Sequence, residues 1–381
     1  MPVMCGIDVL ERDGFAALRG MRIAVATNHT GVNQQRQRLI DLLAAAPDVE
    51  LTRIFSPEHG LFGVLDEKVG HTVDPTTGLR VWSLYGETRK PDAAMMDGLD
   101  AVVFDIQDIG VRYYTYISTM GLVMEAAAEH GVKVVVLDRP NPINGVAVEG
   151  PVTDAGMEAF TAFGQIALRH GMTTGELAHY FNAEHAIDCD LTVIEVEGWS
   201  RAMWFDQTGL WWINPSPNMR NLTQAALYPA IGLIESGQQI SVGRGTDQPF
   251  ELFGAPYIDS RLLAATLNEA AIPGLRFVPM TFTPTVRHFK DMECQGVYII
   301  VNDREALDPV PAGLRIAWTL ERLFPDDYDI EHVNDLLKDE AVMAAIRGAS
   351  EAAAWPADIS AVWAEELAAF KQRRAKYLIY E

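Results

Sequence analysis

The sequence predicts an α/β protein with a mostly parallel sheet, followed by a smaller α+β domain. In the first part of the chain, four apolar runs each end in a polar loop rich in Gly or Pro, and helical patterns separate the runs. The runs are continuous rather than alternating, which is typical of strands covered on both faces. Around Pro249–Pro256 the character changes. The strands that follow alternate between apolar and polar residues and mix with helices without that regular spacing, which indicates an α+β domain.

The four apolar runs indicate parallel strands at residues 22–27, 49–55, 101–104 and 132–137. Helical patterns lie between them at residues 37–46, 91–98 and 114–130. Because crossovers between parallel strands are right-handed, the loops that follow the four strands should meet at one edge of the sheet. These loops carry His29, Glu58, Asp105, Asp108, Asp138, Arg139 and Asn141.

Further elements follow along the chain. Thr173 or Thr174 can cap a helix over residues 173–185, and a strand follows at residues 191–196. The later domain is expected to contain helices at residues 259–271 and 313–323, strands at residues 276–282 and 296–301, and a helical tail at residues 330–338 and 357–378. We place the boundary after residue 245, so that residues 1–245 form the catalytic domain and residues 246–381 the accessory domain.

Composition excludes several classes of partner. Lys and Arg total 30 against 52 Asp and Glu, and the resulting charge of −22 argues against a nucleic acid or an anionic membrane surface. The three cysteines are isolated, which argues against a disulfide framework or a zinc knuckle. No leader or membrane-spanning run is evident, so we expect no membrane insertion and a cytoplasmic location, or export if a leader was removed.

The loops lack the features of a nucleotide site. The turn Thr27-Asn-His-Thr-Gly31 has none of the spaced glycines that let a backbone approach a pyrophosphate, and a P-loop is absent. The sheet is therefore Rossmann-like in layout without phosphate-binding equipment. No helix carries His-Glu-x-x-His spacing, and Gly-x-Ser-x-Gly does not occur, so a metal site or a serine nucleophile is unsupported.

Carboxylates beside a polar cleft fit best, and they favour acid–base hydrolysis of a glycosidic bond. Glu58 is the preferred proton donor, because a glutamate behind Pro57 on a stiff turn can be partly removed from water, which favours its protonated form. The alternative is that Glu58 accepts hydrogen bonds from turn amides. Candidates for a second carboxylate are Asp105, Asp108 and Glu87.

Other residues are candidates for gripping a ligand. Arg139 with Asn141, and Arg244 between two glycines, offer donors suited to a carboxylate or to sugar hydroxyls, although either Arg could instead be held in a structural ion pair. The Trp-rich passage over residues 198–219 is either a packed loop or a cleft wall. The candidate substrate-binding residues are Asn28, His29, His59, Glu87, Tyr116, Arg139, Asn141, Asn218 and Arg244.

A series of ordered motifs carries a family resemblance. They are Gly6-Ile-Asp-Val-Leu10, Thr27-Asn-His-Thr-Gly31, Ser56-Pro-Glu-His-Gly60, Ser83-Leu-Tyr-Gly-Glu-Thr88, Phe104-Asp-Ile-Gln-Asp-Ile-Gly110, Tyr114-Thr-Tyr-Ile-Ser118, Leu137-Asp-Arg-Pro-Asn-Pro142, Arg169-His-Gly-Met172, Pro215-Ser-Pro-Asn218 and Ser241-Val-Gly-Arg-Gly-Thr246. At these motifs the chain closely resembles the exo-β-N-acetylmuramidases, a family of peptidoglycan hexosaminidases. The resemblance runs from Gly6 nearly to the C-terminus.

The resemblance implies a Rossmann-like catalytic domain and an accessory C-terminal domain. The implied activity is release of terminal N-acetylmuramic acid from the non-reducing end of a muropeptide or disaccharide, within cell-wall recycling and without a nucleotide or metal cofactor. The family's proposed catalytic glutamate corresponds to Glu58. We hypothesise that Arg139 or Arg244 binds the lactyl carboxylate of the sugar. The chain departs from the family pattern at residues 233–239, which bears on sugar contacts.

Two rival functions share this scaffold. A non-catalytic muropeptide or sugar-binding protein would use the same Arg and aromatic contacts, but it would tolerate Glu58→Gln. A nucleotide-dependent transferase is disfavoured by the missing glycine fingerprints, and nucleotides should then fail to stabilise the protein thermally.

Overall fold

The structure is a computed structural model that describes residues 3–63 and 70–381. The chain forms two compact units. The first comprises Met1–Ala147, Gly171–Pro217 and Arg373–Glu381, and the second comprises Val148–His170 and Asn218–Gln372. Segments of the two units thus alternate along the sequence. The domain boundary that the sequence analysis places after residue 245 stays a prediction.

The strands, in chain order, are β1 (Arg22–Thr27), β2 (Glu50–Ser56), β3 (Thr72–Val73), β4 (Arg80–Ser83), β5 (Ala101–Asp105), β6 (Lys133–Leu137), β7 (Glu149–Val152), β8 (Ala167–Arg169), β9 (Leu191–Ile194), β10 (Leu252–Ala255), β11 (Leu275–Phe282) and β12 (Cys294–Val301). The α-helices are α1 (Gly6–Arg12), α2 (Leu39–Ala45), α3 (Ala93–Met96), α4 (Tyr116–His130), α5 (Thr174–Glu184), α6 (Leu222–Glu235), α7 (Ser260–Glu269), α8 (Pro309–Leu323), α9 (Asn334–Leu337), α10 (Glu340–Ala352) and α11 (Ala364–Arg374). Short 3-10 helices lie at Ala16–Leu18, Phe205–Gln207, Ile330–Val333, Ile359–Trp363 and Ala375–Tyr377.

The first unit contains a seven-stranded sheet in the order β3-β4-β2-β1-β5-β6-β9. All neighbouring pairs are parallel except β3 with β4. From β1 the chain first builds towards β2 and β4, and it then returns to place β5 on the other side of β1. The loops after β1 and β5 therefore diverge, which in open α/β sheets creates a crevice for ligands.

The sheet of the first unit is covered on both faces. Ile23, Val25 and Val103 belong to a buried cluster that also contains residues of α1 and α2. Val102 and Phe104 of β5 point to the opposite face and are also buried, and α4 packs against β5 and β6. Burial on both faces explains why these strands are continuous apolar runs in the sequence.

The second unit contains antiparallel sheets. Strand β12 lies between β10 and β11, and β7 pairs with β8. Helix α7 packs on β11 and β12, while α6 packs against α8. In β11, Leu275 and Phe277 are buried while Arg276 and Val278 are exposed. This alternation, which the sequence predicts, follows from a sheet with one covered face.

Candidate active site

Glu58 lies in the turn that follows β2, at the carboxyl edge of the parallel sheet. Its side chain is half-buried, and its Oε2 accepts a hydrogen bond from Thr115 Oγ1 at 2.5 Å. Thr115 directly precedes α4, so the carboxyl group is held at the N-terminal end of a 15-residue helix. A helix N-terminus favours negative charge nearby. The loops after β2 and β5 are therefore joined through Glu58, as the crossover rule predicts.

Two histidines lie in the same part of the edge. His29, from the loop after β1, donates Nε2–H to the carbonyl of Asn214 at 2.6 Å. Burial lowers the pKa of His29, and the nearby charge of His59 lowers it further, so His29 is neutral with its proton on Nε2. Gly63 packs on the ring with φ +64°, and a Cβ there would lie 1.9 Å from Cε1. Only glycine fits this close approach.

Tyr116 is a neutral phenol beside Glu58. Its buried hydroxyl donates to the carbonyl of Pro215 at 2.5 Å. Burial raises the pKa of Tyr116, and the negative charge of Glu58 raises it further. Asn28 lies next to this hydroxyl, and Asn28 Oδ1 accepts from the backbone and hydroxyl of Thr30 at 2.9 and 2.6 Å. Residues 214–215 are thus fixed over the sheet edge by His29 and Tyr116.

Asp105 and Arg139 meet each other at the ends of β5 and β6. Asp105 is completely buried, and both of its oxygens accept from Arg139, one from Nε and one from Nη2 at 2.9 Å. Nη2 also donates to the carbonyl of Val32 at 3.1 Å. Burial raises the pKa of Asp105, and the guanidinium opposes that shift. The fork of Arg139 is thus filled by a carboxylate of the protein itself.

Asp108 and Asn141 stiffen the neighbouring loops. Asp108 Oδ2 accepts from the amide of Gly110 at 2.6 Å. Asn141 donates to the carbonyl of Met172 at 3.0 Å and accepts from the amide of Ile143 at 3.1 Å. Gly110 has φ +86°, and a Cβ there would lie 2.5 Å from Asn141 Oδ1. The backbone of the loop after β5, at Gly110, therefore packs against the Asn141 side chain of the loop after β6.

A cavity of about 180 Å³ lies beside these loops within the first unit. Asp8, Gln107 and Arg139 line it together with Trp211 and Trp212, whereas Glu58 is not among its lining residues. Trp211 is 64% exposed, and Arg36 lies over its ring at 4.5 Å. Trp199 and Trp204 are buried instead. The Trp-rich passage thus serves both as packing and as a cavity wall.

The remaining predicted residues lie elsewhere. Glu87 is exposed in the loop after β4. Asn218 and Arg244 belong to the second unit, where Asn218 is buried. Arg244 pairs with Glu235 through Nε and through Nη2, the latter at 2.8 Å. This pair borders a cavity of about 260 Å³ that His288 also lines, and burial lowers the pKa of His288.

One group of carboxylates in the described part of the chain is close enough to hold a cation. The carboxylate oxygens of Asp154, Asp339 and Glu366, in the second unit, lie within 4.8 Å of one another. Asp154 and Asp339 also accept from the amides of Glu340 and Val342 at 2.9 and 2.8 Å. Asp154 and Asp339 are therefore engaged at the start of α10, and the cluster lies outside the predicted site residues.

Comparison with known proteins decides the family. The model of the N-terminal part of exo-β-N-acetylmuramidase NamZ matches residues 23–223, and the model of its C-terminal part matches residues 226–380. The chain belongs to this family. The resemblance drawn from the motifs is thereby confirmed.

Three relatives resemble the chain in sequence, and two of them are solved structures with a similar fold. Peptidoglycan β-N-acetylmuramidase NamZ of Bacillus subtilis (strain 168) is 43% identical over 380 residues, which are 99% of this chain and 91% of that protein. A crystal structure of a DUF1343 family protein from Bacteroides fragilis NCTC 9343 is 35% identical, with a TM-score of 0.91 over 100% of this chain and 99% of the other. A second such protein from the same organism is 29% identical, with a TM-score of 0.80 over the same shares. The predicted fold class is confirmed.

One residue of this NamZ-family site, Thr115, escapes the sequence-based prediction. Thr115 lies within a motif of the resemblance, but the helix predicted from residue 114 places it in a first helical turn and gives it no role at the site. Its contact with Glu58 is visible only in the structure.

No helix within residues 3–63 and 70–381 is both long enough and apolar enough to cross a membrane. The cytoplasmic location stays a prediction.

Proposed function

We propose that this protein is an exo-acting β-N-acetylmuramidase that releases N-acetylmuramic acid from the non-reducing end of peptidoglycan fragments, with Glu58 as the proton donor. The observation that carries the reaction class is the match over 99% of the chain to a relative named peptidoglycan β-N-acetylmuramidase. The position of Glu58, half-buried at the carboxyl edge of the parallel sheet, supports its assignment as donor.

The reaction requires one proton at the leaving oxygen. Glu58 gives its proton to the glycosidic oxygen as the bond to C1 breaks, and the bonding electrons leave with the aglycone as a hydroxyl. Water finally supplies the oxygen that C1 gains, and its proton restores the acid.

The positive charge that develops at C1 needs a partner. Asp105 is buried and accepts two hydrogen bonds from Arg139, which argues against its attack on the sugar. Asp108, exposed Glu87 and the substrate's own 2-acetamido oxygen are the remaining candidates. Direct attack by water inverts the configuration at C1, whereas a covalent intermediate with either kind of nucleophile retains it. Proton NMR of the first-formed product anomer separates these courses.

The test uses two chromogenic β-glycosides, one of N-acetylmuramic acid and one of N-acetylglucosamine. The proposal predicts turnover of the muramic substrate with at most weak turnover of the other, since the two sugars differ only in the lactyl ether. Equal turnover of both would contradict the assigned substrate. No turnover of either by a folded protein would contradict the proposed activity.

A further inference from the structure

Thr115 makes one side-chain hydrogen bond that involves the proposed proton donor. Its hydroxyl donates to Glu58 Oε2 at 2.5 Å, and this contact is partly buried. A threonine hydroxyl has a single hydrogen, so it serves one acceptor at a time. In this structure that acceptor is Oε2, and the other carboxyl oxygen, Oε1, receives nothing from Thr115.

The position of Thr115 in the chain makes this contact unusual. Thr115 is the N-cap residue of α4, where a threonine oxygen normally accepts an amide of the first turn. Here it accepts none, whereas Thr173 at the start of α5 does so from the amide of Glu176. The hydroxyl of Thr115 is therefore directed at Glu58 and away from the helix it precedes.

We propose that Thr115 is a positioning residue that determines which oxygen of Glu58 carries the transferable proton. The inference rests on the proposed function. Because Oε2 accepts the hydrogen of Thr115, the acid holds its own proton on Oε1, and that oxygen faces the substrate. The proton on Oε1 passes to the glycosidic oxygen, the C1–O bond breaks with its electrons on the leaving oxygen, and Glu58 is left as a carboxylate.

The hydrogen bond from Thr115 also stabilises the transition state more than it stabilises the ground state. Negative charge spreads onto Oε2 as the proton leaves Oε1, and the hydrogen bond from Thr115 then becomes charge-assisted and stronger. Only an interaction that strengthens on the way to the transition state accelerates the reaction. A hydroxyl that merely filled space at this position would give no such acceleration.

Other titratable groups near Glu58 bear on any pH profile. His59 follows in the chain, His29 extends from the loop after β1, Asp108 lies in the loop after β5, and Tyr116 is the first residue of α4. None of these groups is altered by a substitution at Thr115. A change in the profile on replacing Thr115 therefore reports on the carboxyl group that it contacts.

The experiment compares Thr115→Val and Thr115→Ser with the wild type. Valine keeps the shape of the side chain without the hydroxyl, and serine keeps the hydroxyl. Thr119→Val is the matched control, because Thr119 lies one turn further along α4 and its buried hydroxyl donates only to the carbonyl of Thr115, at 3.3 Å. Each variant is assayed on a disaccharide with a sugar leaving group and on an aryl glycoside with an acidic phenol leaving group.

We expect Thr115→Val to lower kcat on the disaccharide by about ten- to a hundredfold, the size of a hydrogen bond to a charged group. On the aryl glycoside, kcat should fall by less than about threefold, because a good leaving group needs little protonation. The alkaline limb of the pH profile should move to higher pH, since the carboxylate has lost a donor. Thr115→Ser should restore both the kcat on the disaccharide and the position of the alkaline limb, and Thr119→Val should resemble the wild type in both.

Equal losses on the two substrates, or a serine variant as slow as the valine variant, would overturn the inference. A second measurement does not depend on turnover. The ¹³C resonance of the Glu58 carboxyl group should titrate at a higher pH in Thr115→Val than in the wild type. An unchanged titration would overturn the role of Thr115, whereas an inactive wild type with a shifted titration would count against the proposed function alone.

Discussion

Replacing Arg139 by Met should destabilise the protein strongly. Met removes the guanidinium that fills the space beside Asp105 and keeps an unbranched apolar side chain. Asp105 is completely buried, and Arg139 supplies a hydrogen bond to each of its oxygens. After the substitution, the carboxylate either stays charged without a partner or takes up a proton.

The magnitude follows from this burial. Removing one partner of a buried ion pair costs about 3–5 kcal/mol, because an uncompensated charge stays inside the protein. The first unit has roughly 200 residues, and at that size 1 kcal/mol corresponds to about 2–4 °C in Tm. We therefore expect Tm to fall by roughly 6–20 °C at neutral pH.

The loss of stability in Arg139→Met should also depend on pH. In Arg139→Met, burial and the charge of Asp8 raise the pKa of Asp105 in the folded state, and the guanidinium no longer opposes them. A raised pKa contributes stability below the pKa of the unfolded chain, and that contribution is lost as the pH rises through the folded value. The variant should therefore be closer to the wild type at pH 5 than at pH 8.

Urea denaturation at both pH values measures the effect, with Asp105→Asn and the double variant completing a cycle. The double variant should lose less stability than the two single variants together, because it contains no unpaired buried charge. A loss below about 1 kcal/mol for Arg139→Met, the range of exposed ion pairs, would refute the reasoning. Arg139 would then be free to bind a ligand.

Two further predictions concern buried acids. Tyr380→Phe should lower the free energy of unfolding by about 1–3 kcal/mol in urea denaturation, because the Tyr380 hydroxyl donates to buried Asp138 at 2.6 Å and accepts from the amide of Val196 at 2.8 Å. The control is Tyr377→Phe, whose hydroxyl makes an exposed hydrogen bond to Glu184. Equal losses of stability in the two variants would contradict the prediction. Burial, with the charge of Asp308 beside it, raises the pKa of Glu149 to about 8 against the opposing charge of Arg169, which pairs with this carboxyl group. Stability should therefore fall as the pH rises from about 4.5 to 8. Glu149→Gln should flatten that decline in thermal melts between pH 5 and pH 9, and equal slopes would contradict the assignment.

Much of the fold could be predicted, because burial on both faces of a parallel sheet leaves a plain signal. Strands β1 and β6 follow from apolar runs that no helical pattern interrupts. Helix α6 was missed for the converse reason. It is buried along most of its length and contains Pro229, so it shows no polar face and carries a residue that normally ends a helix.

The site could be predicted in its location but only partly in its contacts. Four loops were expected at one edge, and Glu58 and His29 do lie there with residues of the β5 loop. The sequence could not show that Arg139 pairs with Asp105, because other acids were equally available to each Arg; Arg244 likewise pairs with Glu235. The hypothesis that an Arg binds the lactyl carboxylate stays a prediction, as do the roles of the other candidate residues.

Thr115 shows why such contacts escape sequence reasoning. The sequence predicts a helix from residue 114, which places Thr115 in its first turn, so nothing in the sequence suggests a contact with Glu58. Only the three-dimensional arrangement brings its hydroxyl to a carboxyl group 57 positions earlier in the chain.

The central claim is that Glu58 donates the proton in release of N-acetylmuramic acid. The most direct measurement is the release of that sugar, followed by mass spectrometry, from a disaccharide that carries it at the non-reducing end, by the wild type and by Glu58→Gln. The account predicts release by the wild type and a loss of about 10²- to 10⁴-fold in the folded variant, the usual contribution of a general acid. Release by Glu58→Gln at the wild-type rate would contradict it.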